Sequence, residues 1–181
     1  PRENLSKYHK MGADLVIHSG GKGIRGPQGT GILSGKKELI QAAYANASPH
    51  QFLGRSAKVA KEEIVGLLTA LNNFVNEDEQ VENSKFRNKS QKVVDAFSET
   101  PGLSAEVKHD KEDYLTPVSS LFFTEEWNGP KAGEILQKLK EGDKPIFMSN
   151  LIHPDEIIFD PLNVNDDEVD EVITIIRESM N

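Results

Sequence analysis

The sequence contains no cysteine, which removes disulfides, thiol catalysis and thiolate metal sites together. It also lacks any apolar run close to the roughly 20 residues of a membrane span, so no membrane role is expected and a cytoplasmic setting is the expectation. A basic excess is missing as well. Lys and Arg number 21 against 29 Asp and Glu, and the resulting charge of −8 argues against a nucleic-acid surface. Metal-ligand spacing is absent: His9, His50, His109 and His153 read as surface or turn residues, and the acidic runs 77–82 and 166–171 lack the alternating pattern of a calcium loop. The single tryptophan, Trp127, precedes a turn and reads as the anchor of a small domain.

The most distinctive stretch present is Ala13 to Ser34, ADLVIHSGGKGIRGPQGTGILS. A short apolar run, Leu15 to Ile17, reads as a buried strand running into a loop with glycines at 20, 21, 23, 26 and 29 around Lys22. A second strand returns over Gly31 to Leu33. Charge is uneven along the chain. Residues 1–62 hold ten Lys/Arg against four Asp/Glu, and residues 63–181 hold eleven against twenty-five. The basic excess therefore surrounds the glycine loop and suits an anionic ligand there, or it is a chance asymmetry between two lobes.

Taken in order, Leu5 to Met11 reads as a short helix closed by Gly12 at C′. A helix leading at once into a strand looks like the end of a β-α-β pattern, and the expectation is the C-terminal portion of a longer protein. After the loop come a helix over Lys36 to Ala45, a break over Ala47 to Gly54, and a long helix from about Ser56 to Val75. Its Ile64, Leu67, Leu68, Leu71, Phe74 and Val75 form one apolar stripe. Asn83-Ser84 predicts the cap of another helix, with Phe86, Val93, Val94 and Phe97 inward and Pro101-Gly102 as its stop. From residue 103 the pattern becomes β-β-α-β-β-α: strands over Leu103 to Val107, Pro117 to Phe123, Pro145 to Met148 and Glu156 to Phe159, and helices after Asn128-Gly129-Pro130 and Asn165-Asp166-Asp167-Glu168. That is a small α+β domain.

Three readings of Lys22 follow from chemistry alone. A phosphate-binding P-loop is excluded, because Lys22 is followed by Gly23 rather than Ser or Thr, and Pro27 stops a helix from starting there. A solvated Gly-Lys turn remains open. So does a Schiff-base lysine, which needs a partly desolvated or cation-rich setting that Arg25, Arg55 and Lys58 could provide. Ser19, three residues earlier, offers a hydroxyl for a cofactor phosphate.

The segments SGGK, GPQ, GKKELI and GRSAKVAKEEIVGLL give the sequence a family likeness. It resembles bacterial selenocysteine synthases (L-seryl-tRNA(Sec) selenium transferases) and D-glucosaminate-6-phosphate ammonia-lyase-like enzymes, which are fold-type I pyridoxal-phosphate enzymes. The resemblance implies the C-terminal part of a large α/β cofactor-binding domain over 1–54, linker helices over 55–102 and a small α+β domain over 103–181. It implies pyridoxal 5′-phosphate held by Lys22, a cofactor site with Ser19, His18 and Gln28, and substrate contacts from Arg55 and Lys58. The implied activity is α,β-elimination or β-replacement by a lyase or transferase on an amino acid or amino-sugar-acid substrate, with or without a phosphate, in a homodimer or larger homo-oligomer. A non-catalytic assembly chain with a vestigial lysine loop is the alternative. A tRNA-directed selenium transferase fits the acidic charge least. In fold-type I enzymes the aspartate that pairs with the pyridinium nitrogen precedes the lysine, and Asp14 lies too close to Lys22 for that role.

Overall fold

A computed structural model describes residues 2–110 and 112–181. The chain divides into two compact units, one ending at Glu79 and the other beginning at Gln80. The first unit carries helix α1 (Asn4–Lys10), strands β1 (Leu15–Ser19) and β2 (Gly31–Gly35), helix α2 (Lys37–Asn46), a single 3-10 turn (Arg55–Ala57) and helix α3 (Lys61–Asn76). Gly12, at φ +102°, ends α1 as its sequence predicts. β1 and β2 pair antiparallel with Ile17 opposite Leu33 and Ser19 opposite Gly31. His9 ties α1 to this hairpin, with Nε2 2.9 Å from the Ser34 hydroxyl.

The long helix expected from Ser56 is interrupted. Residues 55–57 form the 3-10 turn, and α3 begins at Lys61, where Glu63 accepts the Ala60 N–H at 3.2 Å. Its apolar stripe is also displaced. Leu67, Leu71 and Phe74 lie on the half-covered face with Gly66 and Ala70, whereas Ile64, Leu68 and Val75 are exposed. Leu15, Ile17 and Leu33 on one face of the hairpin are exposed as well.

The second unit contains most of α4 (Glu79–Phe97), then β3 (Leu103–Lys108), β4 (Val118–Phe123), α5 (Ala132–Glu141), β5 (Glu156–Phe159), a 3-10 turn (Pro161–Asn163) and α6 (Val169–Ser179). The antiparallel sheet has the order β3-β4-β5. Leu103, Leu121, Phe123, Ile157 and Phe159 meet Val93 and Phe97 of α4, Ile135 and Leu139 of α5, and Val169, Val172, Ile173 and Ile176 of α6 in one core. The apolar stripes expected of α4 and α6 are buried. α4 itself starts earlier than Asn83-Ser84 indicated. Ser84 lies inside it and donates its hydroxyl to the Gln80 carbonyl at 2.8 Å instead of capping an N-terminus.

Three other boundaries differ from the sequence pattern. The strand expected over Pro145 to Met148 is reduced to one bridge, Ser149 to Ile158. Pro145 has no N–H to give, and the Ile146 N–H goes to the Leu139 carbonyl at 2.9 Å, at the end of α5. α5 starts at Ala132, not at Pro130. Lys131 is its N-cap residue, and its N–H is taken by Glu134 at 3.0 Å. α6 starts at Val169, because Asn165 and Glu168 close a separate turn on each other first.

The sheet face away from this core holds a carboxylate that no local pattern marks. Glu156, only 2% exposed, accepts from Lys108 Nζ at 2.6 Å, from the Ser120 hydroxyl and from the Tyr114 hydroxyl at 3.5 Å. Burial alone would raise the Glu156 pKa, but the Lys108 and Ser120 hydrogen bonds and the Lys108 charge bring it below the usual range. Burial opposes the charge on Lys108 too, and its bond to Glu156 and the carboxylate charge raise its pKa nonetheless. A depressed carboxylate contributes stability that is lost as pH falls through its folded pKa, and a raised lysine loses its contribution only in strong alkali.

Removing either partner should be unequal in cost. Lys108→Met leaves a fully buried charge and should destabilise the second unit by about 3 kcal/mol at neutral pH. Glu156→Gln leaves a lysine that reaches water and should cost about 1–2 kcal/mol. Urea unfolding followed by Trp127 fluorescence measures both, and the Lys108→Met deficit should shrink as pH drops below the usual carboxylate range. Equal costs, or a deficit independent of acid pH, would contradict this account.

Candidate functional site

The glycine loop is a closed structure. At its neck the Gly20 N–H donates to the Thr30 carbonyl at 2.9 Å, and the Gly26 N–H returns to the Gly20 carbonyl at 2.8 Å. The Thr30 hydroxyl and N–H both bond the Pro27 carbonyl, at 2.6 and 3.2 Å. Ile24 and Thr30 are buried and pin the loop's two limbs. The loop packs on α3 at a separation only glycine permits. A Cβ on Gly20 would lie 2.8 Å from Leu67 Cδ1, and one on Gly66 would lie 2.9 Å from Pro27 Cγ.

Within this frame Lys22 stands exposed on the turn following β1. Among the described residues its ammonium has neither a hydrogen bond nor an ion pair. His18 and Ser19 occupy the last two positions of β1. Ser19 is exposed, and His18 is half-buried with its Nε2 shielded from solvent and without a hydrogen-bond partner among the described residues. An orphaned buried ring nitrogen costs about 1–3 kcal/mol and calls for an account.

Gln28 is committed to the loop itself. Its side-chain amide donates to the Gly21 carbonyl at 2.9 Å, next to Lys22. Arg55 belongs to a different segment and donates from Nη1 to the Ser48 hydroxyl at 2.8 Å. Lys58 is exposed. No contact joins Arg55 or Lys58 to Lys22 among the described residues. The structure thus gathers His18, Ser19, Lys22 and Gln28 at one hairpin end and leaves the two substrate candidates apart from it.

Arg25 takes a different place from the free cation its sequence position suggests. Its Nη2 donates to Glu77 Oε2 at 2.8 Å, so its charge is shared with a carboxylate. Glu77 lies 55 residues beyond Lys22, and no local motif marks that pairing in the sequence. Chemically, the hairpin end carries a primary amine with no partner among the described residues, and β1 ends in an imidazole and a hydroxyl on successive positions that alternate in burial. Amine, hydroxyl and imidazole suit a carbonyl-bearing anion, with the amine as the covalent attachment.

The chain is similar to known proteins over nearly its whole length. The chain is 28% identical over 177 residues to D-glucosaminate-6-phosphate ammonia lyase of Salmonella typhimurium, covering 97% of this chain and 46% of that protein. It is 26% identical over 175 residues to 5'-C-glycyluridine monooxygenase-decarboxylase of a Streptomyces species, covering 96% and 43%. The chain spans about half the length of the curated relatives it matches. Among solved structures, that of a D-glucosaminate-6-phosphate ammonia-lyase superposes with a TM-score of 0.76 at 28% identity, covering 98% of this chain and 46% of the other. Cysteine desulfurase CsdA of Escherichia coli superposes with a TM-score of 0.56 at 19% identity, covering 94% and 47%, and shares the fold. The model of the aminotransferase class-V family matches residues 5–112, more than half of the chain and the whole of the lysine loop. The chain therefore belongs to the class-V aminotransferase family.

Proposed function

We propose that this chain supplies the lysine-bearing part of a pyridoxal-phosphate-dependent lyase or transferase site. The cofactor of the class-V family is pyridoxal 5′-phosphate. The observation that carries the reading is the Lys22 amine, without a partner among the described residues, on a hydrogen-bonded glycine turn directly after β1, inside the matched segment. The orphaned His18 Nε2 is the second support, since a buried nitrogen without a protein partner fits a bound group that supplies one.

Lys22 would hold the cofactor through Nζ, Ser19 would donate its hydroxyl to the phosphate, and His18 would line the ring side. When bound, the cofactor supplies an electron sink that makes the α carbon of an amine substrate acidic. Once the substrate amine has displaced it from the cofactor, Lys22 Nζ would be free to take the proton from that carbon, and its four-carbon stem would keep the amine within reach. Gln28 acts on the loop, fixing the Gly21 carbonyl and hence the start of the turn. The reaction class is elimination or replacement at the β carbon of an amino acid or amino-sugar acid. An anionic substrate suits the basic excess of residues 1–62. We assign residues 1–54 to the large cofactor domain, 55–102 to a linker and 103–181 to the small domain, and expect a homo-oligomer. Arg55 and Lys58 remain proposed substrate contacts.

The test is made on the whole gene product. Hydride reduction of cofactor-loaded protein should fix the label on the peptide containing Lys22, and Lys22→Ala should remove the visible cofactor band. A label on another lysine would reject the assignment. His18→Phe should leave the melting temperature of the cofactor-free protein unchanged or raised, because it removes a buried unpaired nitrogen, while weakening cofactor retention about tenfold. Unchanged retention would exclude His18 from the site.

A further inference from the structure

The turn that carries Lys22 has one non-glycine residue in left-handed backbone, Arg25 at φ +61°. A residue with a Cβ adopts this conformation at a cost and keeps it where its surroundings enforce it. Two of its contacts among the described residues do so here. The Arg25 N–H donates to the Lys22 carbonyl at 2.7 Å, which closes the turn on the lysine's own backbone. At the other end, the guanidinium donates to Glu77 Oε2 at 2.8 Å. Glu77 is itself fixed, since it directly follows α3 and its N–H donates to the Asn73 carbonyl at 2.9 Å. Arg2 approaches the same Glu77 oxygen at 3.8 Å and donates to the Phe74 carbonyl at 2.5 Å, which anchors the acceptor further.

We infer that Arg25 and Glu77 are positioning residues for Lys22: their ion pair pins the left-handed corner of the lysine turn to the end of α3 and so fixes where the amine is presented. The inference rests on reading Lys22 as the cofactor lysine. A glycine-rich loop is otherwise free to sample many backbone states, and the Arg25 side chain reaches out of the loop to a helix end. The two side chains are 42% and 43% exposed, so the pair is screened by solvent, and its influence on the turn is worth up to about fivefold in an equilibrium or rate.

A double-mutant cycle on the whole gene product tests this, with Arg25→Ala, Glu77→Gln, the combination, and Arg25→Lys as the conservative variant. The readouts are the rate of pyridoxal phosphate attachment at Lys22, mapped after hydride reduction, and amide hydrogen exchange of residues 20–26. Each single variant should attach the cofactor about three- to fivefold more slowly at low salt, the combination no more slowly than either, and Arg25→Lys close to wild type. The differences should fade near 1 M salt, where an exposed pair is screened. Wild-type rates in the single variants, or effects that multiply in the combination, would overturn the positioning role. Faster amide exchange in both single variants supports the brace, even if the wild-type label falls on another lysine and rejects the reading of Lys22. Unchanged exchange overturns the brace.

Discussion

The close approach of the glycine loop to α3 is the constraint on which the candidate site depends. Pro27 lies against Gly66 and Leu67 against Gly20, at distances where a side chain on either glycine would collide. That contact gives the loop a floor. Once it is seated, the Gly20–Thr30 and Gly26–Gly20 hydrogen bonds close the loop, and Lys22 is left at its outer rim. Folded chains pack at crystal-like density, so a single methyl group at such a point would have to displace the side chain it meets. The many glycines of the segment therefore serve two purposes, turning the chain and letting it lie flat on a helix.

The two units bury their apolar residues to different extents. In the second, three strands and three helices enclose a continuous core, and the sheet's other face tolerates a buried carboxylate because Lys108, Ser120 and Tyr114 all satisfy it. In the first, Leu15, Ile17 and Leu33 on the hairpin and Ile64 and Leu68 on α3 stay exposed. The unit that bears the lysine is thus held by backbone closure and glycine contacts more than by an apolar core.

Much of this was legible in the residue pattern. Alternation over Leu103 to Val107 and the stripes of α4 and α6 report burial on one face, and those elements formed as their periodicity indicates. SGGK with GPQ was specific enough to indicate the family, which the match over residues 5–112 bears out. What the pattern could not carry were choices settled by tertiary partners. Pro145 to Met148 has strand composition, but Pro145 has no N–H and the Ile146 N–H goes to the Leu139 carbonyl. Ser84 looks like a cap in sequence and is a mid-helix residue in space. Arg25–Glu77 and Lys108–Glu156 join residues about 50 positions apart, and no local spacing encodes such pairs.

Relatives of this chain carry names as different as an ammonia lyase and a monooxygenase-decarboxylase. A common family fold thus does not dictate the reaction, which the groups set around a substrate decide. The central proposal is that the cofactor attaches at Lys22. A crystal structure of the whole gene product grown with pyridoxal phosphate tests it most directly. The account predicts continuous density from Lys22 Nζ to the cofactor, with the His18 ring beside it. Density joined to another lysine, or a cofactor bound away from β1, would contradict it.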